Sequence, residues 1–169
     1  DLSKTATILF PAGWYIVDPL YIHNISGVTL KGQSAWNRNF LGGTNFAMKT
    51  AGQSHILWVG ANTVQGTSND PTDGSYAIHT RMRGFNIDGI QFSGRTYANR
   101  DGVVTPDNFQ SVTDAALVLN ALSGFDVSNI NFDGFAGTSL REKECYEGKF
   151  NRVVFESTGD ETWVKPNWL

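Results

Sequence analysis

A single cysteine, Cys145, stands in the whole chain of 169 residues. With no second thiol there is no intrachain disulfide, so stability has to come from packing, and a lone thiol leaves the compartment open. Charge is sparse and almost balanced. Thirteen Lys and Arg face 16 Asp and Glu, a formal net charge of −3, which gives no reason to expect a nucleic-acid partner. No apolar run is long enough to span a membrane as a helix, and no signal peptide opens the chain. Leu, Ala, Glu and Lys are few for this length, which weighs against a helical fold.

What the chain has instead is glycine, phenylalanine and repetition. Eighteen Gly and 11 Phe suit an all-β chain with many turns. Residues 75–94 recur without a gap at 115–134. Gly84/Gly124, Phe85/Phe125, Ile90/Ile130, Phe92/Phe132 and Gly94/Gly134 are identical, and Ile78/Val118, Met82/Leu122 and Ile87/Val127 are near-equivalents. Self-similarity of this kind signals a solenoid whose units bury apolar faces against one another.

The second half of the unit reads as four copies. Ile25–Gly32 fits Ile87–Gly94 and Val127–Gly134, and a worn copy, Arg152–Glu156, follows the third at 23 residues. Apolar residues fall at the first, fourth and sixth positions, so the alternation changes phase midway. A strand that changes phase turns a corner. Gly27, Gly89 and Asn129 sit there and are expected at positive φ. The pattern follows period 2 rather than 3.6, so a right-handed single-stranded parallel β-helix with a circuit of about 23 residues is expected over 1–169 as one domain. Two excursions leave it, at 60–75 and 95–113. Both ends read as cut: the first strand starts almost at Asp1, and the last residues lack a polar cap.

The opening Ile8-Leu9-Phe10-Pro11-Ala12-Gly13-Trp14-Tyr15-Ile16-Val17, with Pro19-Leu20-Tyr21-Ile22 and Gly27-Val28-Thr29-Leu30-Lys31-Gly32 after it, resembles the first coil of the pectate-lyase-like parallel β-helices. That family's usual start is a strand, Phe-Pro-x-Gly-x-Tyr, a short strand and a Gly-Val-x-Leu-x-Gly turn. The amphipathic helix that normally caps the first coil is missing. Within the superfamily the long polar loops, scarce cysteine and many aromatics place the chain nearest the bacteriophage tailspikes. The resemblance implies a protein of the virion tail or the extracellular space that binds and depolymerises surface polysaccharide, and a homotrimer. The rival reading is a non-catalytic carbohydrate-binding or structural spike module. No catalytic motif of polygalacturonases or calcium-dependent pectate lyases is present, so no catalytic residue carries over. No cofactor, metal, nucleic acid or membrane is expected.

Stacked coils put equivalent residues roughly 4.8 Å apart, so outward side chains form ladders on which a site can be built. Asp133 and Glu156 follow Phe132 and Phe155 at the same outward position. Two carboxylates that close suit a retaining glycosidase. Asp133-Gly134 equally reads as an ordinary turn. Asn86 and Asp88, against Asp126 and Ser128, flank the corner, where such residues commonly bond local backbone. Asp88 and Asp126 are the acid candidates if a groove follows that face. His79, Arg81 and Arg83 share one face of an alternating stretch, and a basic row suits uronate or sialate, or a polysaccharide lyase; a solvated strand face is the plain alternative. The 95–113 excursion supplies Tyr97, Asn99, Arg100, Asp101 and Asp107, groups suited to sugars. Trp36 and Trp58 offer stacking faces or, equally, buried indoles. Leu117, Val118 and Leu119 make a strand apolar on both faces, expected to be covered by a loop or another subunit.

Overall fold

The structure, a computed structural model, describes residues 5–35, 42–50, 52–61, 81–94, 112–135 and 137–156. His79, Trp36, Tyr97, Asn99, Arg100, Asp101 and Asp107 lie outside them, as does nearly all of both excursions. The described chain is all-β: β1 (Ala6–Phe10), β2 (Gly13–Val17), β3 (Leu20–His23), β4 (Val28–Gly32), β5 (Thr44–Met48), β6 (Leu57–Gly60), β7 (Met82–Arg83), β8 (Asn86–Asp88), β9 (Ile90–Ser93), β10 (Leu117–Asn120), β11 (Leu122–Ser123), β12 (Asp126–Asp133), β13 (Leu140–Lys143) and β14 (Lys149–Glu156). Every pairing among these strands is parallel.

One sheet runs β1-β4-β8-β12-β9-β5-β2, with β14 on β12; a second runs β13-β10-β6-β3; a third joins β11 to β7. The large sheet turns its corner inside β12. Asp126–Ser128 pair with β8 and Asn131–Asp133 with β9, and Asn129 between them has φ 51°. That one left-handed residue shifts the alternation by a step, so Val127 points into the core before it, and Ile130 and Phe132 do so after it. Asparagine tolerates this backbone better than most residues because its short polar side chain bonds locally.

The repeat offsets read from the sequence appear as strand register. Phe132 pairs with Phe92 forty residues before it and with Phe155 twenty-three after it. Leu117 pairs with Leu140 at the same 23-residue step. Gly27 (φ 72°), Gly89 (φ 70°) and Asn129 take the expected conformation, and in the worn copy the corner is held by Arg152 at φ 52°.

The placing of the first copy is corrected. Matching Ile25–Gly32 to Ile87–Gly94 sets Gly27 over Gly89, whereas Thr29 pairs with Asn86 and Leu30 with Ile87, which sets Gly27 over Gly84. The cause lies in the repeat itself. Gly84-Phe85-Asn86-Ile87 and Gly89-Ile90-Gln91-Phe92 share one glycine–apolar–polar–apolar pattern, and Gly27-Val28-Thr29-Leu30 fits either. The partner of Ile90–Ser93 is Thr44–Ala47, so the strands that pair with β8 and β9, which Gly89 alone separates, lie on either side of a longer stretch of sequence.

Inside, like side chains stack in columns. Phe92 and Phe132 lie ring on ring at 5.3 Å, Phe132 and Phe155 at 5.2 Å, and Phe46 meets Phe92 edge-on at 5.9 Å. Phe46, Phe92 and Phe132 are buried, each worth about 1.5–3 kcal/mol. Phe155, last in the column, is 51% exposed. Val118 is fully buried, so both faces of β10 are covered within the single chain and no second subunit is needed to explain them.

Candidate functional site

Asp133 and Glu156 are register partners on adjacent parallel strands, both half-buried. Their column continues through Ser93 and Ala47, so the acids occur only at its β12–β14 end. The Asn131 amide donates to Glu156 Oε2 at 3.1 Å and fixes that carboxylate. Asn131 itself belongs to a buried row of amides, Asn45, Gln91 and Asn131, on the side of the sheet away from the phenylalanines. The Oδ1 atoms of Asn45 and Asn131 have no hydrogen-bond partner among the described residues. Register sets the two residues one interstrand step apart, about 4.8 Å between backbones, and an amide orients one of the carboxylates.

Asp88 and Asp126 lie on the outer face just before the corner and are held differently. Asn129 Nδ2 donates to Asp88 Oδ1 at 2.7 Å, and Lys31 approaches its other oxygen at 3.9 Å. Ser128 donates to Asp126 Oδ1. In register, Thr29, Asn86 and Asp126 make one polar row and Lys31, Asp88 and Ser128 the next. Each acid is tied to the turn or to the adjacent rung, which is the structural use that the turn chemistry favours. The two aspartates are not register partners.

Of the basic row, Arg81 and Arg83 are described. Met82 between them is buried, so both flank the core on the outer side. The Arg81 guanidinium lies over the Tyr146 ring at 4.1 Å from its centroid. Arg83 pairs with Ser123, and Ser123 bridges to Tyr146, so three rungs meet in a groove of about 520 Å³. Ser123 donates to Glu147 at 3.1 Å within it.

A fourth cluster was only partly anticipated, through Trp58. Tyr21 and Trp58 are register partners on the outer face of β3 and β6. His23 stacks on Trp58 with centroids 4.5 Å apart and on Tyr21 at 5.4 Å, interplanar angle 13°. Gly60 stands beside His23 in register and carries no side chain, which leaves room for the imidazole to lean across to the indole. Tyr21 is 55% exposed and His23 is exposed, so Trp58 is a half-buried member of an open aromatic platform and not a core indole. Behind it, His55 meets Tyr21 edge-on at 4.6 Å, and its Nδ1 is 3.0 Å from Ser54 Oγ. Burial holds the His55 pKa below its ordinary value; nearby Asp114 works against that shift and Arg141 adds to it. Asp114 and Arg141 are themselves an ion pair. Tyr21 and His23 were legible as the alternate residues of Leu20-Tyr21-Ile22-His23; what the sequence could not show is that Trp58 lies beside them.

Glu142 was also missed. It takes the register position of core-facing Leu119, Val59 and Ile22, and although it stays exposed on the edge strand β13, partial desolvation raises its pKa. It shares a largely apolar hollow of about 400 Å³ with Leu140, Phe150, Val153 and Phe155. Burial likewise raises the pKa of the Cys145 thiol, which keeps it in the less reactive protonated form. Among the described residues no group of three or more His, Cys, Asp or Glu is placed to hold a metal ion. No protein-family model matches the chain, and no curated protein and no solved structure is significantly similar to it.

Proposed function

We propose that the chain is part of a right-handed parallel β-helix of the bacteriophage tailspike type, which binds bacterial surface or extracellular polysaccharide. Support for the coil comes from all-parallel pairing and from successive strands that pair one repeat further on at a recurring 23-residue step. Support for the ligand comes chiefly from one observation, the exposed stack of Tyr21, His23 and Trp58. A stack of rings held on a rigid strand pair suits the apolar face of a sugar with the ring surface it leaves uncovered, with ring hydroxyl and imidazole nitrogens for the sugar hydroxyls. The tailspike resemblance extends the reading to a homotrimer on the virion tail or in the extracellular space.

Glycan-array binding followed by calorimetry tests the reading. Trp58→Ala is expected to weaken the retained glycan at least about tenfold, since a central aromatic anchor typically contributes 1–2 kcal/mol or more. An unchanged affinity in both Trp58→Ala and Tyr21→Ala would sink it.

Cleavage is the second reading, favoured by the Asp133–Glu156 register pair. One carboxyl protonates the leaving oxygen and the other attacks the anomeric carbon, with water completing the hydrolysis. Asp133→Asn and Glu156→Gln then abolish release of reducing ends while binding at the platform persists. Unsaturated products would shift the chemistry to a lyase and to the basic row of Arg81 and Arg83. The platform on β3–β6 and the acids on β12–β14 lie on different sheets, so binding does not depend on cleavage.

A further inference from the structure

The groove between β7, β11 and the Tyr146 bridge has features that a solvated charged face does not need. Arg81 is half-buried, and its Nε is fully buried without a hydrogen-bond partner among the described residues. That nitrogen is closed to water-sized groups, so a ligand in the groove meets Arg81 through the rest of its guanidinium. Its guanidinium carbon sits over the Tyr146 ring. A cation–π contact of this kind positions the guanidinium without using its N–H groups, and arginine grips a carboxylate through those groups. Arg83 lines the same groove, and its exposed side chain has no ion-pair partner among the described residues.

Charge and size narrow the ligand. Two guanidinium groups stand against one carboxylate, Glu147, which already accepts from Ser123. The remaining single positive charge matches a monoanion better than a doubly charged phosphate. The volume, about 520 Å³, falls in the range of small-molecule sites. Tyr146 is 55% exposed and offers an aromatic wall with a hydroxyl. Gly84 and Gly124 form the floor at φ 67° and 61°, so no side chain projects from those turns.

We propose that this groove binds the carboxylate of an acidic sugar, held by Arg81 and Arg83 with the sugar ring against Tyr146. The inference rests on the polysaccharide-binding reading and makes the polymer a uronate- or sialate-containing one.

The test reads the groove directly, by nuclear magnetic resonance of the ¹⁵N-labelled chain. D-glucuronate is expected to shift the side-chain Nε–H signals of Arg81 and Arg83, while D-glucose leaves them in place. Arg83→Gln should lower glucuronate affinity about tenfold, the usual effect of losing one charge-assisted hydrogen bond. Arg83 is exposed, so the variant keeps its fold, and the Arg81 signal remains as reporter. Unmoved arginine signals at saturating glucuronate overturn the proposal. Inorganic phosphate binding as tightly as glucuronate overturns it too, because the groove would then be selecting charge alone. Polygalacturonate fragments separate the two sites through the Trp58 indole signal. Fragments that move Trp58 but neither arginine refute the groove and leave the platform standing. Fragments that move both arginines while Trp58 stays fixed support the groove and refute the platform.

Discussion

Arg152 occupies a backbone conformation that its own side chain does nothing to encourage, φ 52° at a corner that Gly89 and Asn129 turn in the neighbouring strands. Left-handed backbone costs a residue with a Cβ about 1–2 kcal/mol, so stacking on β12 must offset that cost. At Gly89 the constraint is stronger, because a Cβ there would come within 2.9 Å of the Gly32 carbonyl oxygen. Gly89→Val is therefore expected to destabilise the chain by about 2 kcal/mol or more, read as a lower midpoint in urea. Titration gives a second test at this scale. The His55 pKa lies below 6.5 because burial disfavours its charged form. The unfolded chain then takes up a proton that the fold resists, so the associated stability is full above pH 6.5 and is lost as pH falls below it. His55→Gln should flatten that part of the stability profile. Glu142 has the opposite sign. Its pKa is raised above 4.5, so the fold gains relative stability on acidification toward that value, and Glu142→Gln should stabilise the chain at pH 7.

Within a strand the decisive quantity is register, and register divides what the sequence showed from what it hid. The ungapped match between 75–94 and 115–134 is long enough to admit one alignment, and β8, β9 and β12 pair as it requires. The eight residues at 25–32 fit two places in the repeat, and only the packing of Leu30 beside Ile87 distinguishes them. The acid pair was legible because both carboxylates follow a phenylalanine at the 23-residue step. The aromatic platform was not, because Tyr21 and Trp58 are joined by a pairing that spans unlike sequences. Phe132→Ala should cost about 3–5 kcal/mol, since its ring is buried between Phe92 and Phe155. Phe155→Ala, with half of its surface already exposed and one stacking neighbour, should cost well under half as much in the same denaturation experiment.

Across the whole molecule, parallel pairing sets the order in which the chain assembles. Among the described residues no strand is bonded to its sequence neighbour as a hairpin; the nearest partners are Ala6 and Val28, and the most distant are Leu57 and Leu117. Every sheet bond thus waits for a loop to close, and the longer closure costs about 1 kcal/mol more than the shorter. Assembly should be slow, as it is for chains dominated by non-local contacts. It should begin where short loops coincide with continuous aromatic stacking, around β12 and β14 with β10 and β13 beside them. Pulse-labelled hydrogen exchange during refolding should find the amides of Ile130–Asp133 and Val153–Glu156 protected before those of Leu57–Gly60. Earlier protection at β6 would reverse that sequence of events. The same delay works in the other direction, since a network that is slow to close is also slow to come apart. Resistance to proteases over hours would then reflect the time needed to open the chain more than the depth of its equilibrium stability.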